Sequence, residues 1–141
     1  MKNLILLALV IFLFSFSFAT VFEGGKPKEG MISIKYSFIN GSPGIIHTTK
    51  TVVYINDKMI AESQPHPDNQ PGVVSFRYPK GEYKIRIVNL TLTEGVWEEH
   101  TREYDFTVDF RYLSEIKLQK RLIITLLFDF ASGTTAMKSL K

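Results

Sequence analysis

Few side chains in this 141-residue sequence have the type and spacing that catalysis or metal binding requires. The three histidines, at positions 47, 66 and 100, lie in separate segments, and no pair has the short spacing of a zinc site. The sequence contains no cysteine nucleophile, no Gly-x-Ser-x-Gly motif and no phosphate-binding loop. Glu103, Asp105 and Asp109 alternate with apolar residues, as carboxylates do on the solvent face of a strand. We therefore expect no catalytic residue, no metal site and no cofactor, and we predict that the protein is not an enzyme.

The first candidate binding site is the segment Trp97-Glu98-Glu99-His100, which follows a predicted turn at residues 93–95. Trp97 is the single tryptophan of the chain. An indole ring beside polar residues can stack on a sugar or anchor a protein partner. The alternative is structural, with Trp97 closing one end of the fold. Solvated polar side chains are a better interpretation of Glu98, Glu99 and His100 than metal ligands are.

The second candidate is the segment 64–72, which has three prolines and no large apolar residue. This composition predicts an exposed loop. Its polar residues His66, Asp68 and Asn69 are the candidate contacts with a partner. A metal site at His66 and Asp68 is again a weaker interpretation than solvated side chains.

The elements that position these residues are predicted to be β-strands. Apolar and polar residues alternate with a period of two in several segments, which places one face of each strand against a core. The segments are 31–38, 73–78, 82–87 and 103–112. A further strand at 48–55 has adjacent apolar residues that indicate burial on both faces, and Asn56-Asp57-Lys58 predicts a tight hairpin turn to 59–61.

Two positions predict irregularities in this pattern. The apolar phase shifts by one residue at Ile87 and Val88, which predicts a β-bulge there. Lys120 interrupts the apolar phase of a strand predicted over 116–130 and marks a bend or an edge. The turn Pro79-Lys80-Gly81 is predicted to form the central hairpin. About seven strands and no helix beyond the N-terminal segment indicate a single antiparallel β-sandwich, immunoglobulin-like or transthyretin-like.

The N-terminal residues have the pattern of a signal peptide. Lys2 precedes an apolar run from Leu4 to Phe18, and Ala19 ends a small-x-small cleavage site. The run is shorter than the roughly 20 residues that a membrane-spanning helix needs, which favours cleavage after Ala19 over the alternative, retention as an N-terminal anchor. We expect no transmembrane domain after cleavage. The predicted organisation is a signal peptide at 1–19, a flexible lead-in at 20–30, the β-sandwich at 31–131 and a disordered tail at 132–141.

Charge and cysteine content narrow the compartment and the partners. The formal net charge of +3 is dispersed along the chain and forms no concentrated basic patch, so we expect no nucleic-acid partner. Small exported domains with weak cores usually contain disulfides, and this chain has no cysteine. The core must therefore be stabilised by apolar packing. Export without disulfides favours a bacterial protein that is periplasmic, on the cell surface or secreted.

Two segments carry a family resemblance. Residues 53–61, with the Asn56-Asp57-Lys58 turn, and residues 78–87, with Pro79-Lys80-Gly81-Glu82-Tyr83, resemble PEGA, Cna-B and carboxypeptidase-regulatory-like β-sandwich modules. Asp57 stands where those modules usually have glycine. The resemblance implies a non-catalytic binding or spacer domain of the cell envelope, with a cell-wall polysaccharide or an envelope protein as its partner. The alternative is a secreted inhibitor or an accessory subunit of an exported enzyme or surface assembly.

Overall fold

The computed structural model describes residues 24–141, so the predicted signal peptide and the first part of the lead-in lie outside the described residues. The described part is all-β, as predicted, with ten strands where about seven were expected. No helix within residues 24–141 is long and apolar enough to cross a membrane. In chain order the elements are β1 Glu29–Ile39, β2 Thr48–Ile55, β3 Lys58–Glu62, β4 His66–Pro67, β5 Gly72–Pro79, β6 Gly81–Thr93, β7 Val96–Glu99, a 3₁₀ helix Arg102–Tyr104, β8 Arg111–Leu118, β9 Arg121–Asp129 and β10 Gly133–Leu140.

The strands form two sheets that pack as a sandwich. One sheet has four strands in the order β10-β9-β1-β5, and the other has six, in the order β3-β2-β6-β7 with β4 beside β2 and β8 beside β6. Neighbouring strands are antiparallel except β1 and β9, which run parallel. The long strand β6 pairs with β2 on one side and, in succession, with β8 and β7 on the other. It is therefore the central strand of the six-stranded sheet.

The core lies between the two sheets and consists of the residues that alternate inward. Phe110 and Phe128 are the largest of its fully buried side chains, and their ring centroids are 5.0 Å apart. Such stacked pairs add to the free energy gained by burying the rings. The core cluster of buried side chains is Ile32, Ile34, Tyr36, Val53, Ile55, Val74, Ile85, Ile87, Val108, Phe110, Ile116, Leu118, Leu122, Ile124, Leu126 and Phe128.

The turn at Lys80 joins the two sheets, so the predicted central hairpin is wrong. β5 pairs with β1 in the four-stranded sheet, whereas β6 lies in the six-stranded sheet. The chain crosses back between the sheets at Lys120, where the sequence predicted a bend or an edge. The crossings at Lys80 and Lys120 are both hydrogen-bonded to backbone groups at the start of β1. The N–H of Lys80 donates to the carbonyl oxygen of Lys28 at 2.9 Å, and the N–H of Met31 donates to that of Lys120 at 2.9 Å.

The phase shift at Ile87 and Val88 does not come from a bulge. β6 pairs with β2 and β8 through these residues without a change of register, so the predicted bulge is absent. Ile87 faces the core, while Val88 lies on the outer face opposite Val52. Val52 and Val88 are nevertheless only 2% and 0% exposed, so this part of the outer face is also buried. Burial on both faces, which the sequence predicted for β2, is confirmed.

Two predicted boundaries are corrected by the structure. The strand expected over 103–112 is replaced by the 3₁₀ helix and an irregular segment, and β8 begins only at Arg111. The helix ends at Asp105, which adopts a left-handed conformation with φ 64°. The tail expected to be disordered over 132–141 forms β10, which is hydrogen-bonded along its length to β9. The small and polar residues of this segment did not predict a strand, because β10 packs few apolar side chains, such as Ala136, against the core.

Candidate functional site

The alternation of β7 divides the predicted Trp97 site between two faces. Trp97 lies opposite Leu92 of β6 on the outer face of the six-stranded sheet, and Glu99 follows it on the same face. Glu98 and His100 point to the inner side. Among the described residues, Trp97 is not one of the apolar side chains packed against the core. The alternative that Trp97 closes an end of the sandwich is therefore wrong, because the Trp97 side chain lies on the outer face of the sheet.

His100 is a core residue and is not available as a surface ligand. It is 5% exposed, and its ring stacks between Phe106 and Phe110, with centroid distances of 4.1 and 4.0 Å. Thr91 Oγ1 lies 3.1 Å from His100 Nδ1. Burial disfavours the charged ring and, together with the nearby His47, lowers the pKa of His100 to about 4. The imidazole is therefore neutral at physiological pH.

Trp97 is held by a cation that is itself paired. Lys50 Nζ lies 4.9 Å from the centre of the Trp97 ring, within the range of a cation–π interaction. The same ammonium is 2.9 Å from Glu62 Oε2. Glu62 is on β3, Lys50 on β2 and Trp97 on β7, so the contact connects strands from both sides of β6. The indole is fixed in place, and one of its two ring faces is occupied by Lys50.

A second aromatic ring on the same face has the same arrangement. The guanidinium carbon of Arg86 lies 3.9 Å from the centre of the Tyr54 ring, and Arg86 Nη1 is 2.7 Å from Glu99 Oε1. Partial burial acts to lower the pKa of Arg86. The hydrogen bond to Glu99 and its negative charge, together with Tyr54, outweigh that effect, so the pKa is raised. Glu99, a predicted ligand-binding residue, therefore positions Arg86.

Two strongly exposed apolar side chains complete this surface. Met59 on β3 lies directly opposite Tyr54, and Leu113 on β8 lies directly opposite Arg86. They are 56% and 64% exposed. Met59, Tyr54, Arg86 and Leu113 thus form one row across four neighbouring strands, about 14 Å from end to end at the usual strand spacing. We call the surface formed by Lys50, Tyr54, Met59, Arg86, Trp97, Glu99 and Leu113 the Trp97 face.

Sequence reasoning identified Trp97 and Glu99 on this face and missed its other members. Met59, Tyr54, Arg86 and Leu113 come together only through the register of three strand pairs. One signal was present in the sequence. Leu113 is an apolar residue in the polar phase of β8, where Arg111, Glu115 and Lys117 share its face. An exposed leucine among charged side chains is the kind of residue that marks a contact surface.

The proline-rich segment is less exposed than predicted. Its residues His66–Pro67 form β4 and pair with β2. His66 Nε2 lies 2.9 Å from the hydroxyl oxygen of Tyr36, and Asp68, which is 6% exposed, accepts a bond from His47 Nδ1 at 2.9 Å. These partners are distant in sequence, so the composition of the loop did not indicate them. Of the three predicted contact residues, His66 and Asp68 fix the loop and Asn69 is exposed.

Two clefts formed by the described residues lie away from the Trp97 face. An open cleft of about 630 Å³ lies beside β8 and β10, and its lining includes Tyr83, Ile116, Lys138 and Leu140. A smaller one of about 290 Å³ lies at the loop that follows β1. Within residues 24–141, no group of three histidine or carboxylate side chains is placed to hold a metal ion. The surface is thus suited to contact and has no enclosed site.

Comparisons with known proteins do not assign the chain to a family. No protein family matches it, and neither does any curated protein. Among solved structures, it is similar to suilysin from Streptococcus suis, with a TM-score of 0.38, 8% identity, and coverage of 82% of this chain and 24% of the toxin. It is also similar to listeriolysin O, with a TM-score of 0.35, 13% identity, and coverage of 82% of this chain and 23% of listeriolysin O. It is similar as well to a candidate cell adhesion protein from Bacteroides ovatus, with a TM-score of 0.40 and 11% identity. That similarity covers 80% of this chain and 44% of the adhesion protein.

Similarities of this size support no conclusion about function. The chain spans about a quarter of the length of the two toxins and under half of the adhesion protein. No activity is transferred from these proteins to this chain. The resemblance to PEGA, Cna-B and carboxypeptidase-regulatory-like modules stays a prediction. The surfaces that the structure describes are the basis on which a function can be argued.

Proposed function

We propose that this chain is an exported, non-catalytic binding module of the bacterial cell envelope, and that the Trp97 face contacts a partner protein. The observation that carries the proposal is the row formed by Met59, Tyr54, Arg86 and Leu113 across four strands. Tyrosine, arginine and methionine are enriched at protein interfaces. Here they lie side by side on the outer face of the sheet, which also carries the single tryptophan.

The electrostatics of the face favour a specific contact. Lys50 and Arg86 are each paired with a carboxylate, Glu62 and Glu99, within 3 Å. A partner can therefore bury these cations without leaving an unpaired charge, which would cost several kcal/mol. The two aromatic rings are already held by cation–π contacts, so little side-chain freedom is lost on binding.

A protein fits this face better than a polysaccharide does. Sugar rings stack on a free aromatic face, and one face of Trp97 is occupied by Lys50. Met59 and Leu113 are more than half exposed, and aliphatic side chains of this kind are buried by other apolar side chains. Binding of a polysaccharide in place of a protein is the competing hypothesis, and the experiment described below distinguishes the two.

An inhibitor acting through residues 64–72 has less support. His66 and Asp68 are occupied by hydrogen bonds to Tyr36 and His47 within the fold. Asn69 is the exposed member of the three candidate contact residues. This alternative requires the partner to recognise the fixed backbone of the loop.

The test compares capture of envelope proteins by the chain and by two matched variants. Leu113→Asp places a charge at the β8 end of the row on the Trp97 face. Val73→Asp places the same charge on the outer face of the other sheet, at a residue that is 59% exposed. We expect the wild type and Val73→Asp to retain the same envelope protein, and Leu113→Asp to weaken its binding about 30-fold, as for loss of a 2 kcal/mol anchor.

A second arm measures cosedimentation with purified cell-wall polysaccharide. Binding by the wild type that is lost in Trp97→Ala, with no protein captured, would replace the proposed protein partner with a polysaccharide. Equal capture by the wild type and Leu113→Asp would refute the proposed surface. Melting temperatures of all variants show whether a loss of binding reflects unfolding.

A further inference from the structure

The free edges of the two sheets differ in how well they are protected against pairing with another strand. Natural edge strands are kept short or carry charges, prolines or bulges. β7 has four residues and two glutamates, and β3 has five residues with charges at both ends and a register irregularity opposite it. β5 follows Pro71, carries Arg77 and ends at Pro79. In β8, Lys138 Nζ donates to the edge carbonyl oxygen of Glu115 at 3.2 Å.

β10 is a long edge that is protected less than the others, with Lys138 as its one charge. It has eight residues and no proline, and its register with β9 is continuous. On its other side it has no strand partner within residues 24–141. Met137, near the middle of the strand, is 70% exposed, the largest value among the exposed apolar side chains of the described residues.

The hydrogen-bonding groups of β10 that face outward can be assigned from its pairing. Lys141 and Arg121 exchange both backbone hydrogen bonds, at 2.9 and 3.1 Å. In an antiparallel ladder every second residue makes such bonds, so the odd-numbered residues of β10 bond to β9. The even-numbered residues therefore direct their N–H and C=O groups away from the sheet. They are Thr134, Ala136, Lys138 and Leu140.

From these observations we infer that β10 pairs antiparallel with β10 of a second copy of this chain, with the two-fold axis at Met137. This register places Met137 against Met137 of the second copy and Thr135 against Ser139, both on the outer face. It places Ala136 against Lys138, so that the two lysines are not opposite each other. All four outward-facing residues then find hydrogen-bond partners, and the two four-stranded sheets become one continuous sheet.

The second copy is the occupant that the strand itself specifies. A two-fold contact requires one segment to complement itself. In this register no two charges fall opposite each other, because Lys138 lies opposite Ala136, and the exposed Met137 side chains cover each other. The edge is on the sheet that does not carry the Trp97 face, so pairing leaves the proposed binding surface free and can be tested separately from it.

The absence of cysteine makes disulfide crosslinking a clean test. Residues at a non-hydrogen-bonded antiparallel pair have Cα atoms about 4.5 Å apart, within disulfide reach. Met137→Cys in the full chain should therefore form a covalent dimer on mild oxidation, whereas Val73→Cys, at a residue on the β5 edge that is 59% exposed, should not. Equal crosslinking of both variants would overturn the proposal.

Sedimentation equilibrium of the unmodified chain gives the second readout. We expect a reversible dimer, with a dissociation constant that rises about 10-fold in Met137→Lys, because a like-charge pair then replaces an apolar contact on the axis. Val73→Lys should leave the dissociation constant unchanged. A wild-type chain that is monomeric at every concentration, or a Met137→Lys variant that associates as strongly as the wild type, would overturn the inference.

Discussion

The buried imidazole of His100 makes the fold sensitive to mild acid. Its pKa is about 4 in the folded chain, against about 6.5 in an unfolded one. Between these values the unfolded chain binds a proton that the folded chain does not, so the free energy of unfolding falls as the pH falls. The full effect of a shift of this size is about 3 kcal/mol, and about 2 kcal/mol of it should be lost between pH 7 and pH 5.

Urea unfolding at pH 7, 6 and 5 measures this dependence. His100→Phe keeps an aromatic ring between Phe106 and Phe110 and removes the titrating group, so its stability should change little over the same range. His47→Gln removes only the lesser cause of the lowered pKa of His100, so most of the wild-type dependence should remain. The pKa of Asp129 is lowered by hydrogen bonds from Ala131 and other neighbours, so its contribution to the free energy of unfolding is lost only below this pH range. Equal pH dependence in the wild type and His100→Phe would refute the reasoning.

Three further substitutions test the packing and the turns. Gly72→Ala would place its Cβ on the Tyr36 ring and should cost about 1–3 kcal/mol in thermal unfolding, whereas Gly25→Ala, in open space, should cost nothing measurable. Phe110→Ala should destabilise the chain by about 3–5 kcal/mol in urea, and a loss below 1 kcal/mol would contradict its central place in the core. Asp57→Gly should raise the melting temperature by a few degrees, because Asp57 has φ 65° in the β2–β3 turn; a lower melting temperature would contradict this reading of the turn.

Local patterns predicted local structure well. β2 has the predicted bounds, and Asn56 and Asp57 both adopt the positive φ that the hairpin turn requires. Alternation also identified Val108 and Phe110 as inward-facing, although the segment that contains them is not a regular strand. Period-two patterns report which side chains are buried, and turn residues report where the chain reverses.

The same patterns did not show which sheet each strand joins. A turn between two neighbouring strands and a crossing between two sheets both need a short break such as Pro79-Lys80-Gly81. The choice depends on β1, which is distant in sequence and lies between β5 and β9. The phase shift at Val88 was likewise ambiguous, because a bulge and an outer apolar residue produce the same sequence pattern.

The candidate site was predicted in part for the same reason. Trp97 was identified from its residue type. The alternation of β7 then places Trp97 on the outer face and His100, which follows the strand, in the core. Tyr54, Arg86 and Leu113 belong to three strands, and their common row exists only once the registers are fixed. Sequence therefore indicated two members of the surface, Trp97 and Glu99, and strand pairing supplied the others.

Site-specific photocrosslinking in the cells that produce the protein tests the central claim most directly. A photoreactive amino acid replaces Leu113 in the row of the Trp97 face or, as the matched control, Val73 on the outer face of the other sheet. The proposal predicts one discrete protein adduct from position 113 and none of the same mass from position 73. The same adduct from both positions, or no protein adduct from position 113, would contradict the assignment of the Trp97 face as a protein-binding surface.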